Sequence, residues 1–327
     1  MARTVCVVFC MLLAASGAAL AQPALTGNYP AKPVTLIVTF SAGGPSDIYA
    51  RTAARGMGDL LGQQFIVINR DGAGGVIGTD IVAKAAPDGY TLLWGSFGPL
   101  AIEPVFRGKA PYDAQRDFAP VSLFATIPFL ALVHPSIPAR NIGELVKLAR
   151  ASPGKLNYAS AGSGGATHLA IELLRSMTKI DMVHVPYKGA TPSITDLIAG
   201  QVDLAFVGPP SALPFVRSGR LRALATTGAT RLEMFPEVPT MHETGVAGYE
   251  FTQWYGVVVP ARTPREIIMA LHGALLKTAE TSDTHKRVTA QGGTVITNTP
   301  EVFSAYIKAE IEKATRIVRG AKLRAGL

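Results

Sequence analysis

Apolar residues fall along this chain in short branched runs that alternate with stretches of helical periodicity. Residues 34–40 form an apolar run bounded by Pro33 and a glycine pair, short enough to be a buried strand. Residues 48–61 carry a helical pattern that stops near Gly62. The alternation continues with strands at 65–69 and 91–94 and a helix at 79–86 between them. Beyond residue 140 it resumes, with helices at 141–151 and 193–199. The strands there are at 182–185, 202–207 and 221–226. A strand at 255–259 and long amphipathic helices at 265–281 and 300–319 close the chain. Such alternation predicts an α/β protein with largely parallel sheets.

Two stretches break the rhythm. Residues 118–133 are apolar and interrupted by Pro120 and Pro128, which reads as a passage from one domain to another. Residues 245–254 read as the passage back. Two passages imply a discontinuous first domain, 22–125 plus 251–327, with 126–250 inserted as the second. A cleft between such lobes is a common ligand site.

One unit occurs in both halves: a strand, a glycine-rich turn and a helix start. The first runs through Ser41-Ala42-Gly43-Gly44-Pro45-Ser46-Asp47, and the second through Ser160-Ala161-Gly162-Ser163-Gly164-Gly165-Ala166-Thr167 into His168. Helix starts carry unpaired N–H groups and the positive end of the helix dipole, so they suit an anion. Glycine allows the sharp turn and the close approach of backbone to ligand. Asp47 most simply caps the first helix. His168 has two readings, packing residue or part of a ligand shell. Trp254 and Tyr187 are candidates for walls, Trp254 the stronger because it lies in the return passage.

Other chemistry is poorly supported. Ala161-Gly162-Ser163-Gly164-Gly165 approximates the nucleophile elbow Gly-x-Ser-x-Gly with alanine at the first glycine. A secreted serine hydrolase using Ser163 is therefore the alternative, with Asp203 and His242 or His272 as nominal partners that no local pattern marks. The glycines of 71–78 are spaced G-x-G-x-x-x-G, not as in a dinucleotide loop, and no Gly-Lys-Ser/Thr occurs, so no cofactor is expected. The 6 histidines form no metal-binding spacing.

The N-terminus reads as an export leader: Arg3, an apolar stretch over 5–15, then Ala19-Leu20-Ala21 as cleavage site, with 1–21 removed. Both cysteines, Cys6 and Cys10, lie inside it, which leaves the mature chain without thiol or disulfide chemistry. The 31 Lys and Arg against 23 Asp and Glu give a net charge of +8. These charges are dispersed, apart from Lys313, Arg316, Arg319, Lys322 and Arg324 near the C-terminus, so no nucleic-acid partner is expected.

From about Tyr29 onward the chain resembles the Bug family, the extracytoplasmic solute receptors of tripartite tricarboxylate transporters. The resemblance rests on many short motifs in order. Among them are Tyr29-Pro30-Ala31-Lys32-Pro33, the first glycine junction, Asn69-Arg70-Asp71-Gly72-Ala73-Gly74-Gly75 and Ala86-Pro87-Asp88-Gly89-Tyr90. Pro153-Gly154-Lys155-Leu156-Asn157-Tyr158-Ala159-Ser160, Val183-His184-Val185-Pro186-Tyr187-Lys188-Gly189 and Gly200-Gln201-Val202-Asp203-Leu204 continue it. It implies a type II periplasmic binding protein fold, two lobes with two crossovers, located in the periplasm. It also implies a non-enzymatic receptor, expected as a monomer, that delivers a small carboxylate to a membrane permease. Carried onto this sequence, the ligand shell would draw on Ala42, Gly43, Gly44 and Asp47, with Ser96, Ser160, Gly162, Ser163, Thr167 and His168 completing it. Two departures stand out: Pro99 and Leu100 follow Gly98 where the family often has a polar residue and His, and Val207-Gly208 replaces a frequent Asp-Asn. Without that aspartate an amino group has no partner, which points to an apolar or aromatic carboxylate.

Overall fold

The computed structural model describes residues 29–106, 108, 110–321 and 323, so the expected leader lies outside the described residues. The apolar runs near the N-terminus become β1 (Val34–Val38), β2 (Phe65–Asn69) and β3 (Thr91–Ser96). Helix α1 (Pro45–Leu61) follows β1 and α2 (Val76–Ala83) follows β2. Helix α1 starts three residues earlier than its periodicity suggests, because Pro45 suits the first helical position. It ends at Gly62, whose φ of 70° fits a left-handed cap. After β3 an irregular helical turn (Gly98–Ile102) runs into α3 (Glu103–Phe106).

The passage at 118–133 is two strands, β4 (Phe118–Pro128) and β5 (Leu130–Val133), which belong to different sheets; the chain changes sheet at Phe129. In the second sheet, α4 (Ile142–Ala151) is capped by Asn141, whose side chain accepts the Glu144 N–H at 2.9 Å. It precedes β6 (Asn157–Ser160), α5 (Ala166–Thr178), β7 (Val183–Pro186), α6 (Ala190–Ile198) and β8 (Leu204–Val207). Then come α7 (Pro209–Arg217) and β9 (Arg222–Thr226). The chain returns through β10 (Thr252–Pro260), then α8 (Arg265–Ala279), α9 (Ser282–Ala290), the short β11 (Thr294–Val295) and α10 (Pro300–Gly320).

The sheets share one plan. The first has the order β11-β4-β10-β3-β1-β2 and the second β7-β6-β8-β5-β9. In each, three parallel strands are extended by an antiparallel one, β10 against β3 and β5 against β8. The antiparallel strand in each sheet is the one beside a passage, which is why β10 is long and buried throughout. Helix α10 packs on β4 of the first sheet and on α5 beside the second. One apolar core accordingly contains Phe97 and Trp254 from the first sheet side together with Tyr158 and Leu169 from the second.

Candidate site between the two sheets

The parallel strands of both sheets end at one cavity of about 470 Å³. Phe40 follows β1, Gly98 follows β3, Ala161 follows β6 and Gly208 follows β8, and all four line it. Ligands in open α/β sheets bind outside the carboxyl ends of strands for this reason: loops and helix starts gather there. A larger groove of about 570 Å³ lies between α1, α8 and α9, away from these strand ends.

Three helix starts border the cavity. Gly165, Ala166 and Thr167 begin α5, Ala190 begins α6, and Gly208 precedes α7. The first N–H groups of α5 and α6 lack intrahelical acceptors, so this wall carries positive potential from main chain alone, whereas α7 opens with Pro209 and Pro210, which have no N–H to offer. In α5, Thr167 is placed by a bond in which Ala161 N–H donates to its Oγ1 at 3.1 Å. That bond leaves the hydroxyl proton of Thr167 for another acceptor. Facing this wall from the first sheet are Gly74, Glu103, Gln253 and Tyr255. A Cβ on Gly74 would fall 2.0 Å from Glu103 Oε1, so the carboxylate of Glu103 packs directly on that glycine loop.

Of the residues named from sequence, Thr167 lines the cavity. Ala42 and Gly43 are exposed at the tip of the first junction, and Gly44 is the cap of α1. Asp47 is buried and turned into the junction: it accepts from Gly43 N–H at 3.0 Å, Arg51 Nε at 2.9 Å and Asn69 Nδ2 at 2.9 Å. Burial pushes its pKa up, but those hydrogen bonds and the Arg51 charge prevail and hold it below the usual aspartate value. Ser96 is fully buried at the end of β3, its Oγ without a hydrogen-bond partner among the described residues.

In the second junction Ser160 is buried and shares a 2.7 Å hydrogen bond with His184 Nε2. Gly162 N–H reaches Ser160 Oγ at 3.3 Å, and Ser163 is exposed. His168 is buried beneath the turn, where its Nδ1 accepts the Gly164 N–H at 2.9 Å. Its ring stacks on His184 with centroids 3.8 Å apart. Burial, then the neighbouring His184 and Arg175, lower its pKa to about 3, so the ring is neutral at ordinary pH. Glu172 lies under the same rings, accepting from Tyr158 and from Arg175 Nη1 at 2.6 Å.

Trp254 is not a wall of this cavity. It is fully buried, edge-on to Phe303 and Tyr306 at 5.7 and 5.9 Å. Alternation along β10 explains the difference: Trp254 points to the core, while Gln253 and Tyr255 on the opposite face reach the cavity. Tyr187 donates to Asp196 Oδ2 at 2.7 Å and is absent from the wall. Sequence reasoning also passed over Gly74, Glu103, Ser193 and the rings of Phe40, Phe129 and Phe206. Gly74 had a signal in the glycine run that follows β2, and Phe129 one in its place between two sheets. Ser193 and Phe206 had none, being ordinary residues in a helix and a strand.

Among the described residues no group of three or more His, Cys, Asp or Glu could hold a metal ion. Among them too, no helix is long and apolar enough to cross a membrane.

Comparison with known proteins agrees with this architecture. Residues 49–323 match the family described as "Tripartite tricarboxylate transporter family receptor". Protein BugT of Bordetella pertussis is 37% identical over 310 residues, covering 94% of this chain and 95% of BugT. Among solved structures, R. palustris Rpa4515 with adipate has a TM-score of 0.78 at 33% identity, covering 90% of this chain and 99% of that one. MatC from Rhodopseudomonas palustris with bound malate has a TM-score of 0.74 at 32% identity, covering 89% and 100%. With a family match over most of its length and these relatives beside it, the chain belongs to the tripartite tricarboxylate transporter receptor family, which includes the Bug proteins.

Proposed function

We propose that this protein is a periplasmic solute receptor that captures a small carboxylate in the cavity between its two sheets and presents it to a transporter's membrane permease. The observation that carries this reading is the convergence of two N–H-bearing helix starts, α5 and α6, on one cavity at the strand ends. Two relatives of the same fold are described with adipate and with malate, both carboxylates. In this reading the carboxylate sits against the N–H groups of Ala166 and Thr167 and accepts the Thr167 hydroxyl proton. The lobes are 22–125 plus 251–327 and 126–250. Their closure brings the exposed Ala42 and Gly43 over the ligand, with Gly44 and Asp47 fixing that loop. Ser160, Gly162, Ser163 and His168 shape the opposite loop from behind, and Ser96 supports the floor. The leader is cleaved after Ala21, the mature protein is monomeric, and it carries no catalytic activity.

Purified mature protein should gain thermal stability from a carboxylate panel of adipate, malate, hexanoate and benzoate. Binding at a hundredfold excess over Kd adds about 2.7 kcal/mol. Thr167→Val should weaken the responding acid by about 0.5–1.5 kcal/mol, the worth of one hydrogen bond. The methyl ester of that acid should bind far less well. An ester that binds as tightly as its acid would show that no carboxylate is gripped here.

A further inference from the structure

Resting on the two-lobed receptor reading, we infer that Phe106 and Gly292 set ligand affinity from outside the cavity, by holding the two lobes together around it. Two contacts between the sheets adjoin the cavity, and each seats a ring from one side on a glycine from the other. Phe106 ends α3 on the first sheet's side. A Cβ on Gly164, in the turn before α5, would fall 2.5 Å from its Cε1 and 2.7 Å from its Cζ. Pro209 opens α7 on the second sheet's side. A Cβ on Gly292, between α9 and β11, would fall 2.6 Å from the Cβ of that proline. Both glycines are buried, with φ at 75° and 72°. Neither position has room for a side chain, so each ring lies directly on main chain.

Gly164 lines the cavity, as does Gly208 beside Pro209, but Phe106, Pro209 and Gly292 do not. These three therefore act on a ligand only through the approach of the lobes. A contact made when the lobes meet stabilises the closed form alone, because opening returns the ring to water. A ligand gripped from both sides favours the same form. Its apparent Kd is the intrinsic Kd divided by the closed fraction, so losing a seat weakens binding with every ligand contact intact. The ligand leaves by reopening, so the loss falls on the dissociation rate rather than on association.

The probe is whichever of adipate, malate, hexanoate and benzoate binds the wild-type mature protein most tightly, followed by calorimetry and stopped-flow fluorescence. Phe106→Ala should raise its Kd by about fivefold or more, with faster dissociation and association within about twofold of wild type. Phe106→Leu should recover part of the loss. Gly292→Ala should weaken binding in the same way. Gly62→Ala is its control, since Gly62 has φ at 70° with nothing within 4 Å of a Cβ, and it should leave Kd unchanged. X-ray scattering from the unliganded proteins should give Phe106→Ala a larger radius of gyration than wild type. The leucine and Gly292 variants keep the test open if Phe106→Ala fails to fold. An unchanged Kd in the Phe106 and Gly292 variants would overturn the inference. So would a weaker Kd without a change in radius, which would make Phe106 a local packing residue. If no acid of the panel binds the wild type, the carboxylate reading fails, and the scattering comparison still decides whether the seats hold the lobes together.

Discussion

At the first junction Gly43, with φ at 88°, donates its N–H to the carboxylate of Asp47 four residues on. At the second, Gly164, with φ at 75°, donates to the imidazole of His168, again four residues on. The next residue in each is an extended glycine capping a helix, Gly44 before α1 and Gly165 before α5. One backbone plan thus serves both sheets with different chemistry at the brace. Asp47 is anionic and held by Arg51 and Asn69. His168 is neutral, stacked at the end of a Tyr158–His184–His168 pile and shielded from water.

This difference separates position from charge. Both braces fix a turn by occupying one of its N–H groups, so neither Gly43 nor Gly164 offers a free N–H to a ligand. A carboxylate one turn inside α1 already satisfies the positive helix end that an anion would otherwise seek. The neutral imidazole at α5 leaves that end uncompensated, and it is the α5 turn that borders the cavity. The second junction is therefore the better anion site, although the two look alike in sequence.

Substitution at the paired glycines should give the largest effect and expose their unequal surroundings. A Cβ at Gly164 would lie 2.5 Å from the Phe106 ring, whereas at Gly43 it would meet nothing within 4 Å. Both positions carry left-handed φ, which costs a substituted residue about 1–2 kcal/mol. Overpacking adds about 1–3 kcal/mol at Gly164 alone. Urea unfolding should show Gly164→Val clearly less stable than Gly43→Val. Equal losses would mean that backbone strain alone governs both turns.

Acid should separate the braces next. The folded pKa of His168 is about 3 against an ordinary 6.5, so between these values the unfolded chain takes up a proton that the native ring refuses. Stability from this group is therefore complete above about pH 6.5 and falls as pH drops toward 3, by up to about 1.4 kcal/mol per pH unit. Asp47 has its pKa lowered, so its contribution persists through this range and is lost only as pH falls below 3.8 toward its folded value. His168→Asn keeps an acceptor for Gly164 N–H and removes the titration. Unfolding measured at pH 7, 5.5 and 4.5 should give a flatter profile in that variant, with a residual slope from His184, whose pKa burial also lowers. An unchanged slope would remove His168 from the account.

The fold was legible wherever periodicity had one physical cause. Strand β2 falls at 65–69 as its apolar run indicates, and α4 begins after its cap at Asn141. Helix α7 was missed because it opens with two prolines and contains Pro214, a composition that reads as loop. The single helix read over 265–281 is followed by α9, which starts at Ser282 on the cap of Thr281. At the site, glycine spacing located the turns, but not which of their N–H groups were already bonded. That depends on a side chain four residues away choosing the turn over the solvent, as Asp47 and His168 both do. Trp254 was misplaced for a simpler reason. The return passage located the strand, and only its pairing with β3 and β4 settles which face is core.

The smallest expected effect belongs to Ser163, the residue on which the second junction would have to differ from the first if it were catalytic. Its side chain is exposed, and both nearby histidines are engaged elsewhere, His184 with Ser160 and His168 with Gly164 N–H. Asp203, the nominal acid, accepts from Asn157 N–H at 2.7 Å, and His242 from Gly248 N–H at 3.1 Å. A serine without a base has no means of losing its proton during attack on an ester. Ser163→Ala should therefore change stability by less than about 0.5 kcal/mol, as for ordinary surface positions. It should also leave carboxylate binding within a few-fold of wild type, since Ser163 lies outside the cavity wall. Hydrolysis of p-nitrophenyl esters by the wild type should not exceed the buffer rate. Turnover by the wild type that vanishes in Ser163→Ala would make the second junction a nucleophile turn and end its likeness to the first.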